Sequence, residues 1–222
     1  MIVAIDGPAG AGKSTVTRLL AQKLDFKFLD TGAMYRAVTW AALERGIDLG
    51  DHQALRALAE EIEITFDDDK VFLNGTDVTV QIRSPEVTRH VSAIADAPTV
   101  REYLVMLQRR IAQHGDFVCE GRDQGTVAFP DAICKIYLTA SSRCRALRRA
   151  QQMTDSGEVV NIEQLIREQD LRDHQDLNRA VGRLKKADDA IEFDTDSKTQ
   201  EEVVSELVEI VQSRMSEISS RQ

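Results

Sequence analysis

The stretch IVAIDGPAGAGKST, residues 2–15, decides the fold. Its opening, Ile2-Val3-Ala4-Ile5, is apolar and mostly β-branched, which predicts a short buried strand. Gly7-Pro8-Ala9-Gly10-Ala11-Gly12-Lys13-Ser14 follows at once and fits the pattern G-x-x-x-x-G-K-[ST]. Val16, Leu19, Leu20 and Leu24 then recur at helical spacing, so the order is strand, glycine-rich loop, helix, the context that confirms such a match. Glycines let the backbone curl until several N–H groups converge on phosphate oxygens, and the helix N-terminus adds partial positive charge. Residues Gly7 to Thr15 are therefore expected to bind a nucleotide phosphate tail, with Lys13 bridging the outer phosphates and the Ser14 hydroxyl ligating Mg²⁺.

Working outward, Phe26 to Leu29 reads as a second strand, and a helix opening at Asp30 or Thr31 should run through Tyr35, Val38 and Ala42. From about Asp51 the texture changes. A helix near 53–60 leads into Ile62, Ile64 and Phe66, which alternate with polar neighbours, and Val71 to Leu73 forms a second strand candidate. Asn74-Gly75 is a two-residue hairpin signal, with Val78 and Val80 expected to continue on the far side. Residues 62–82 thus read as a small antiparallel unit inside an insert of roughly 51–95. Beyond it, Val100, Tyr103, Leu104, Leu107 and Ile111 mark a helix after Pro98, and Phe117–Glu120 and Ile133–Leu138 are short apolar strands. Helices near 141–152 and 162–178, a last strand at Ala190–Phe193, and a closing helix striped by Val203, Val204, Leu207, Val208 and Val211 complete the pattern. Alternating β and α predicts an α/β, three-layer P-loop fold with a mostly parallel sheet, carrying a small antiparallel β/helical insert.

The chain has 222 residues, 42% hydrophobic, with 28 Lys+Arg against 37 Asp+Glu and a net charge of -9. That suits one globular domain with an insert. The acidic balance argues against a general polyanion binder, so an anionic ligand must be gripped locally and no stable nucleic-acid partner is expected. No apolar run approaches the roughly 18 residues that span a bilayer, and the first ten residues lack a basic start, so no secreted or membrane protein is expected. Cys119, Cys134 and Cys144 follow neither disulfide nor zinc spacing and read as reduced thiols of the cytoplasm. The first two sit in apolar runs, while Cys144 stands among arginines that can lower a thiol pKa. His52, His90, His114 and His174 form no metal-spaced pair, and Asp67-Asp68-Asp69 reads as a charged hairpin turn.

A phosphate loop alone permits a kinase, a motor-type ATPase or a GTPase switch. No N-K-x-D segment reads guanine, and no second glycine-rich signature of transporter ATPases is present. Arginines instead recur beside acids. Arg36 lies between one and two helical turns past Thr31, where its forked guanidinium can reach a substrate phosphate; Thr31 itself is equally a helix cap. Arg122 and Asp123 follow a strand ending at Glu120, at the strand end where parallel sheets bind ligands. Arg122 there is a candidate phosphate clamp. Asp123 can accept a hydrogen bond from the exocyclic amine of cytosine, which uracil lacks, though a local Arg–Asp pair fits as well. Arg172, Asp176 and Arg179 are spaced to share one helix face, either a ligand face or a solvated salt-bridged one. Arg143 and Arg145 read as surface charge.

Five segments, GPAGAGKST (7–15), DTGAMYRA (30–37), Ser92 to Arg101, EGRDQGTVAFPDA (120–132) and RDHQDLNRA (172–180), together resemble the bacterial cytidylate kinase family over nearly the whole chain. GRDQGTVAFPDA is the most specific of them. The resemblance implies a single P-loop kinase domain over 1–222, a nucleoside-monophosphate-binding region at about 31–95, and a short lid at about 149–161. It implies ATP-dependent phosphorylation of CMP and dCMP to CDP and dCDP, by a protein expected to be monomeric. By the same resemblance Thr31 and Arg36 bind the monophosphate, and Ser92, Arg101 and Asp123 read the base. Glu120 takes a Walker B-like place that can hold magnesium through water. Arg172, Asp176 and Arg179 contact sugar and nucleotide, with Asp176 toward the ribose hydroxyls, and Arg148 and Arg149 of the lid, with Lys13 and Arg122, serve the transferring phosphoryl group. Another small-molecule P-loop kinase, or a noncatalytic nucleotide-binding switch, stays open at this point.

Overall fold

The computed structural model describes residues 1–67, 70–155 and 160–220. Strands are β1 (Ile2–Asp6), β2 (Lys27–Asp30), β3 (Ile64–Asp67), β4 (Lys70–Leu73), β5 (Thr76–Asp77), β6 (Phe117–Gly121), β7 (Cys134–Thr139) and β8 (Ile191–Asp194). Helices are α1 (Lys13–Leu24), α2 (Thr31–Glu44), α3 (His52–Glu61), α4 (Pro85–Asp96), α5 (Pro98–Ala112), α6 (Ser142–Asp155), α7 (Ile162–Asn178) and α8 (Gln200–Ser219). The chain forms two compact units, Met1–Leu29 with Gly115–Gln222, and Asp30–His114.

The first unit is built on a five-stranded sheet ordered β2-β6-β1-β7-β8. β1 pairs in parallel with β6 and with β7, and β7 with β8. β6 is buried along its whole length, which is why it reads as a run and not as an alternation. Val3, Ile5, Val118, Ile136 and Leu138 pack with Val16 and Leu20 of α1 and with Val203, Leu207 and Val211 of α8 in one core. A capping box of Thr199 and Glu202 starts α8. Asp6 lies opposite Gly121 in the β1–β6 register, so the phosphate loop and the Arg122-Asp123 loop leave the sheet from adjacent strand ends. In an open parallel sheet this carboxyl edge is where ligands bind.

In the second unit, Asp30 and not Thr31 caps α2: its Oδ1 accepts from the Ala33 N–H at 2.9 Å. A three-stranded antiparallel sheet, β3-β4-β5, follows α3, with Ile64 opposite Leu73 and Phe66 opposite Val71. Asn74 (φ 49°) and Gly75 (φ 77°) are both left-handed, as a two-residue I′ hairpin requires. The far side is shorter than the alternation predicts. β5 ends at Asp77, whose side chain accepts from the Thr79 N–H at 3.0 Å and turns the chain, leaving Val80 80% exposed. A 3-10 turn (Gln81–Arg83) then leads into α4, capped by Ser84 and started by Pro85. The sequence pattern left this helix unassigned. Of the charged run Asp67–Asp69, residues 68 and 69 lie outside the described residues. No helix among the described residues is long and apolar enough to cross a membrane.

Candidate active site

The phosphate loop sits where β1 ends. Gly7 has φ 151°, and a Cβ there would collide with the Leu138 carbonyl oxygen of β7, so the turn demands glycine. Gly12, at φ 87°, opens α1 with no side-chain cap, which leaves the first-turn amides for an anion. Lys13 is buried and its Nζ donates to the Pro8 carbonyl at 2.7 Å. Burial lowers its pKa to about 7, aided by Arg122 and Arg172 and opposed by Glu120 and Asp6. Asp6, Glu120 and Arg122 lie at the ends of β1 and β6, Arg172 comes from α7, and Glu120 is buried one residue before β6 stops.

Arg122, just past β6, donates from Nε to Asp176 Oδ2 at 2.8 Å, and Arg179 Nη2 donates to Asp176 Oδ1 at 2.9 Å. Asp176 is 5% exposed. Burial alone would raise its pKa, but Arg122, Arg179 and Arg172 together hold it below the ordinary carboxylate range. Arg179 does not share the helix face its spacing implied. α7 stops at Asn178, and Arg179 leaves with φ -56° and ψ 135°, its side chain folding back onto Asp176.

Asp123 is buried at the start of a π turn, Gln124–Ala128. Asp6, which carries no motif signal, is also buried there: Oδ1 accepts from the Gln124 N–H and Oδ2 from the Gly125 N–H, both at 2.8 Å. Burial pushes its pKa up to about 6 against these two bonds.

Arg145 is not surface charge. It is 3% exposed and ion-paired to Asp173 of α7 at 2.6 Å, and it donates to the carbonyls of Ala9 at 2.9 Å and Ala140 at 3.1 Å. A long cationic side chain is exposed by default; here the partner arrives on a later helix and the acceptor belongs to the phosphate loop. Arg143 is exposed as expected. Arg148 donates to Thr195 Oγ1 at 3.0 Å, to the Thr195 carbonyl at 2.7 Å and to the Ala11 carbonyl at 3.4 Å, while Arg149 is exposed. Of the lid segment 149–161, residues 156–159 lie outside the described residues. Cys144 does not carry the lowered pKa its arginine neighbours allowed: desolvation and Asp196 raise it despite Arg148. Cys119 and Cys134 are buried, as their apolar runs implied.

The second unit groups its own candidates. Arg36 Nη1 donates to Thr88 Oγ1 at 2.8 Å and to the Ile82 carbonyl at 3.3 Å. Thr88 had no sequence signal; it precedes half-buried Ser92 by one turn of α4, which packs on α2. Arg101 is buried, lies 5.3 Å from the Tyr35 ring centroid and donates to the Ala95 carbonyl at 3.2 Å. Thr31 is buried in the first turn of α2. Among the described residues no group of three His, Cys, Asp or Glu side chains is placed to hold a metal ion.

A phosphate loop on the central strand of a parallel sheet, with a buried lysine and arginines at the same edge, defines a P-loop phosphotransferase. A solved structure of an uncharacterized protein from Eubacterium ventriosum shares the fold, with a TM-score of 0.54 at 11% identity over 96% of this chain and 99% of that one. The cytidylate kinase family model matches residues 3–213. A cytidylate kinase of Rhodopirellula baltica is 48% identical over 211 residues, 95% of this chain and 92% of that protein. A bifunctional pantoate ligase/cytidylate kinase of Prochlorococcus marinus (strain NATL2A) is 48% identical over 97% of this chain, which spans 43% of that longer protein. The chain belongs to the cytidylate kinase family.

Proposed function

We propose that the protein transfers the γ-phosphoryl group of ATP to CMP and dCMP, giving ADP with CDP or dCDP. The observation that carries this reading is the placement of Arg122 and Asp123 on the strand end next to the phosphate loop, with Lys13 close enough to feel the charge of Arg122. The acceptor phosphate has a second pKa of about 6, so its attacking oxygen is already deprotonated at neutral pH and no side chain has to act as base. Catalysis then rests on alignment and charge neutralisation.

In this reading Gly7 to Thr15 hold the triphosphate and Lys13 regains its proton as it meets the outer phosphates. Arg122 steadies the transferring group, with Arg148 and Arg149 of the lid as further donors. Thr31 and Arg36 bind the acceptor phosphate. Ser92, Arg101 and Asp123 read the base, Asp123 by accepting from the cytosine amine. Arg172, Asp176 and Arg179 serve the sugar, Asp176 as a carboxylate held ionised by its arginines. The Ser14 hydroxyl and the Glu120 carboxylate are the hard oxygen donors that would hold Mg²⁺. So small a donor set suits an ion bound through few protein ligands and substrate phosphates; when bound it neutralises phosphate charge. The thiols and the absence of disulfide spacing support the cytoplasm as the place of action.

The test uses ATP labelled at the γ-phosphorus with CMP as acceptor. Label recovered in the β-phosphate of CDP supports the reading; label released as inorganic phosphate at the same rate with or without CMP overturns it.

A further inference from the structure

The π turn Gln124–Ala128 begins at an aspartate that does not cap it. An aspartate at this position ordinarily accepts from the N–H groups that follow, but Asp123, at φ -143° and ψ 26°, makes no side-chain cap bond. The turn's own ladder starts only later, where the Val127 and Ala128 N–H groups donate to the Asp123 carbonyl at 2.8 and 3.1 Å. The Gln124 and Gly125 N–H groups precede that ladder, in a buried place where an unpaired amide is costly.

Asp6 supplies their acceptors from another strand. One oxygen takes each amide at 2.8 Å, across 118 and 119 residues of chain. A Cβ at position 125 would stand 3.2 Å from Lys135 Cδ but at an ordinary 3.5 Å from Asp6 Oδ2, so the cap itself does not depend on glycine. Asp6 is also the residue immediately before Gly7, so these bonds tie the Arg122-Asp123 loop to the root of the phosphate loop.

We propose that Asp6 is a positioning residue: by capping the turn from the end of β1 it does what Asp123 would otherwise do, and so keeps the Asp123 carboxylate directed to the acceptor base. This rests on the reading of Asp123 as the group that recognises cytosine. Without Asp6, the Gly125 N–H, two residues on, becomes a cap target for the Asp123 carboxylate, and capping competes with base recognition.

The test is steady-state kinetics of the wild type, Asp6→Asn, Asp123→Ala and the double variant with CMP and UMP, with ATP varied separately. Asn keeps the shape of Asp6 but turns one acceptor into a donor facing an N–H. The expected result for Asp6→Asn is a KM for CMP raised about tenfold or more and a CMP-over-UMP preference reduced by a similar factor, with the KM for ATP changing by a clearly smaller factor. In the double variant, Asp6→Asn adds nothing to the loss of preference that Asp123→Ala causes. Asp6→Glu keeps the carboxylate but shifts it by one methylene from the two amides, and should move the same parameters should Asp6→Asn fold poorly. Asp6→Asn with unchanged CMP KM and preference, or with ATP and CMP KM rising by the same factor, overturns the proposal. A preference that survives Asp123→Ala overturns the base reading instead; the cap is then judged by amide exchange, and Gln124 and Gly125 N–H groups exchanging at wild-type rates in Asp6→Asn overturn it independently.

Discussion

Arg122 and Asp176 are 54 residues apart in sequence and 2.8 Å apart in space, an ion pair that joins the loop after β6 to the last turn of α7. Asp176 holds Arg179 with its other oxygen, so one buried carboxylate serves two guanidinium groups. Asp176→Ala is expected to destabilise the protein by about 3–5 kcal/mol, because it removes the buried carboxylate shared by a buried and a part-buried guanidinium. The arginines lower the folded-state pKa of Asp176, so its contribution is present above the unfolded value of about 3.9 and lost as pH falls through the lower folded value. Urea denaturation of both proteins checks this; a loss under about 1 kcal/mol would mean that solvent already screens the pair.

Lys13→Ala should lower kcat at least about a hundredfold with CMP as acceptor, since it removes the buried cation that meets developing phosphate charge. Near-normal turnover would remove Lys13 from the mechanism.

Nucleotide binding should take up protons above neutrality. The Lys13 pKa is lowered to about 7, by burial first and by Arg122 next, so at pH 8 the ligand-free side chain is mostly neutral. A bound triphosphate favours the charged form and raises that pKa again. The affinity for ATP therefore falls as pH rises above about 7. Calorimetry at pH 8 in buffers of different ionisation enthalpy should register the uptake; binding enthalpies that do not vary with buffer contradict it.

Arg36→Lys should raise the KM for CMP about tenfold, because lysine lacks the planar guanidinium, held by Nη1 on Thr88 and the Ile82 carbonyl, that would grip the acceptor phosphate in a bidentate way. The KM for ATP, measured in parallel, should not move.

The phosphate loop was legible because its chemistry lies in consecutive residues, and the sheet because β1, β6 and β7 are short apolar runs. Features set by distant partners were not. Asp6 finds its donors more than a hundred residues away, and Arg145 is buried only because α7 brings Asp173 to it and the loop offers the Ala9 carbonyl. α4 buries just Val87, Val91 and Ile94, a stripe too thin to stand out beside hairpin signals. Helical phase placed Arg179 beside Asp176 for the wrong reason: the contact is made after the helix has ended.

Phosphoryl transfer to CMP is tested most directly by ADP release from MgATP with CMP, dCMP, UMP, AMP, GMP or no acceptor. Strong stimulation by CMP and dCMP, weak stimulation by UMP and none from the rest is the expected result. Equal rates across the panel, or hydrolysis that needs no acceptor, would contradict it.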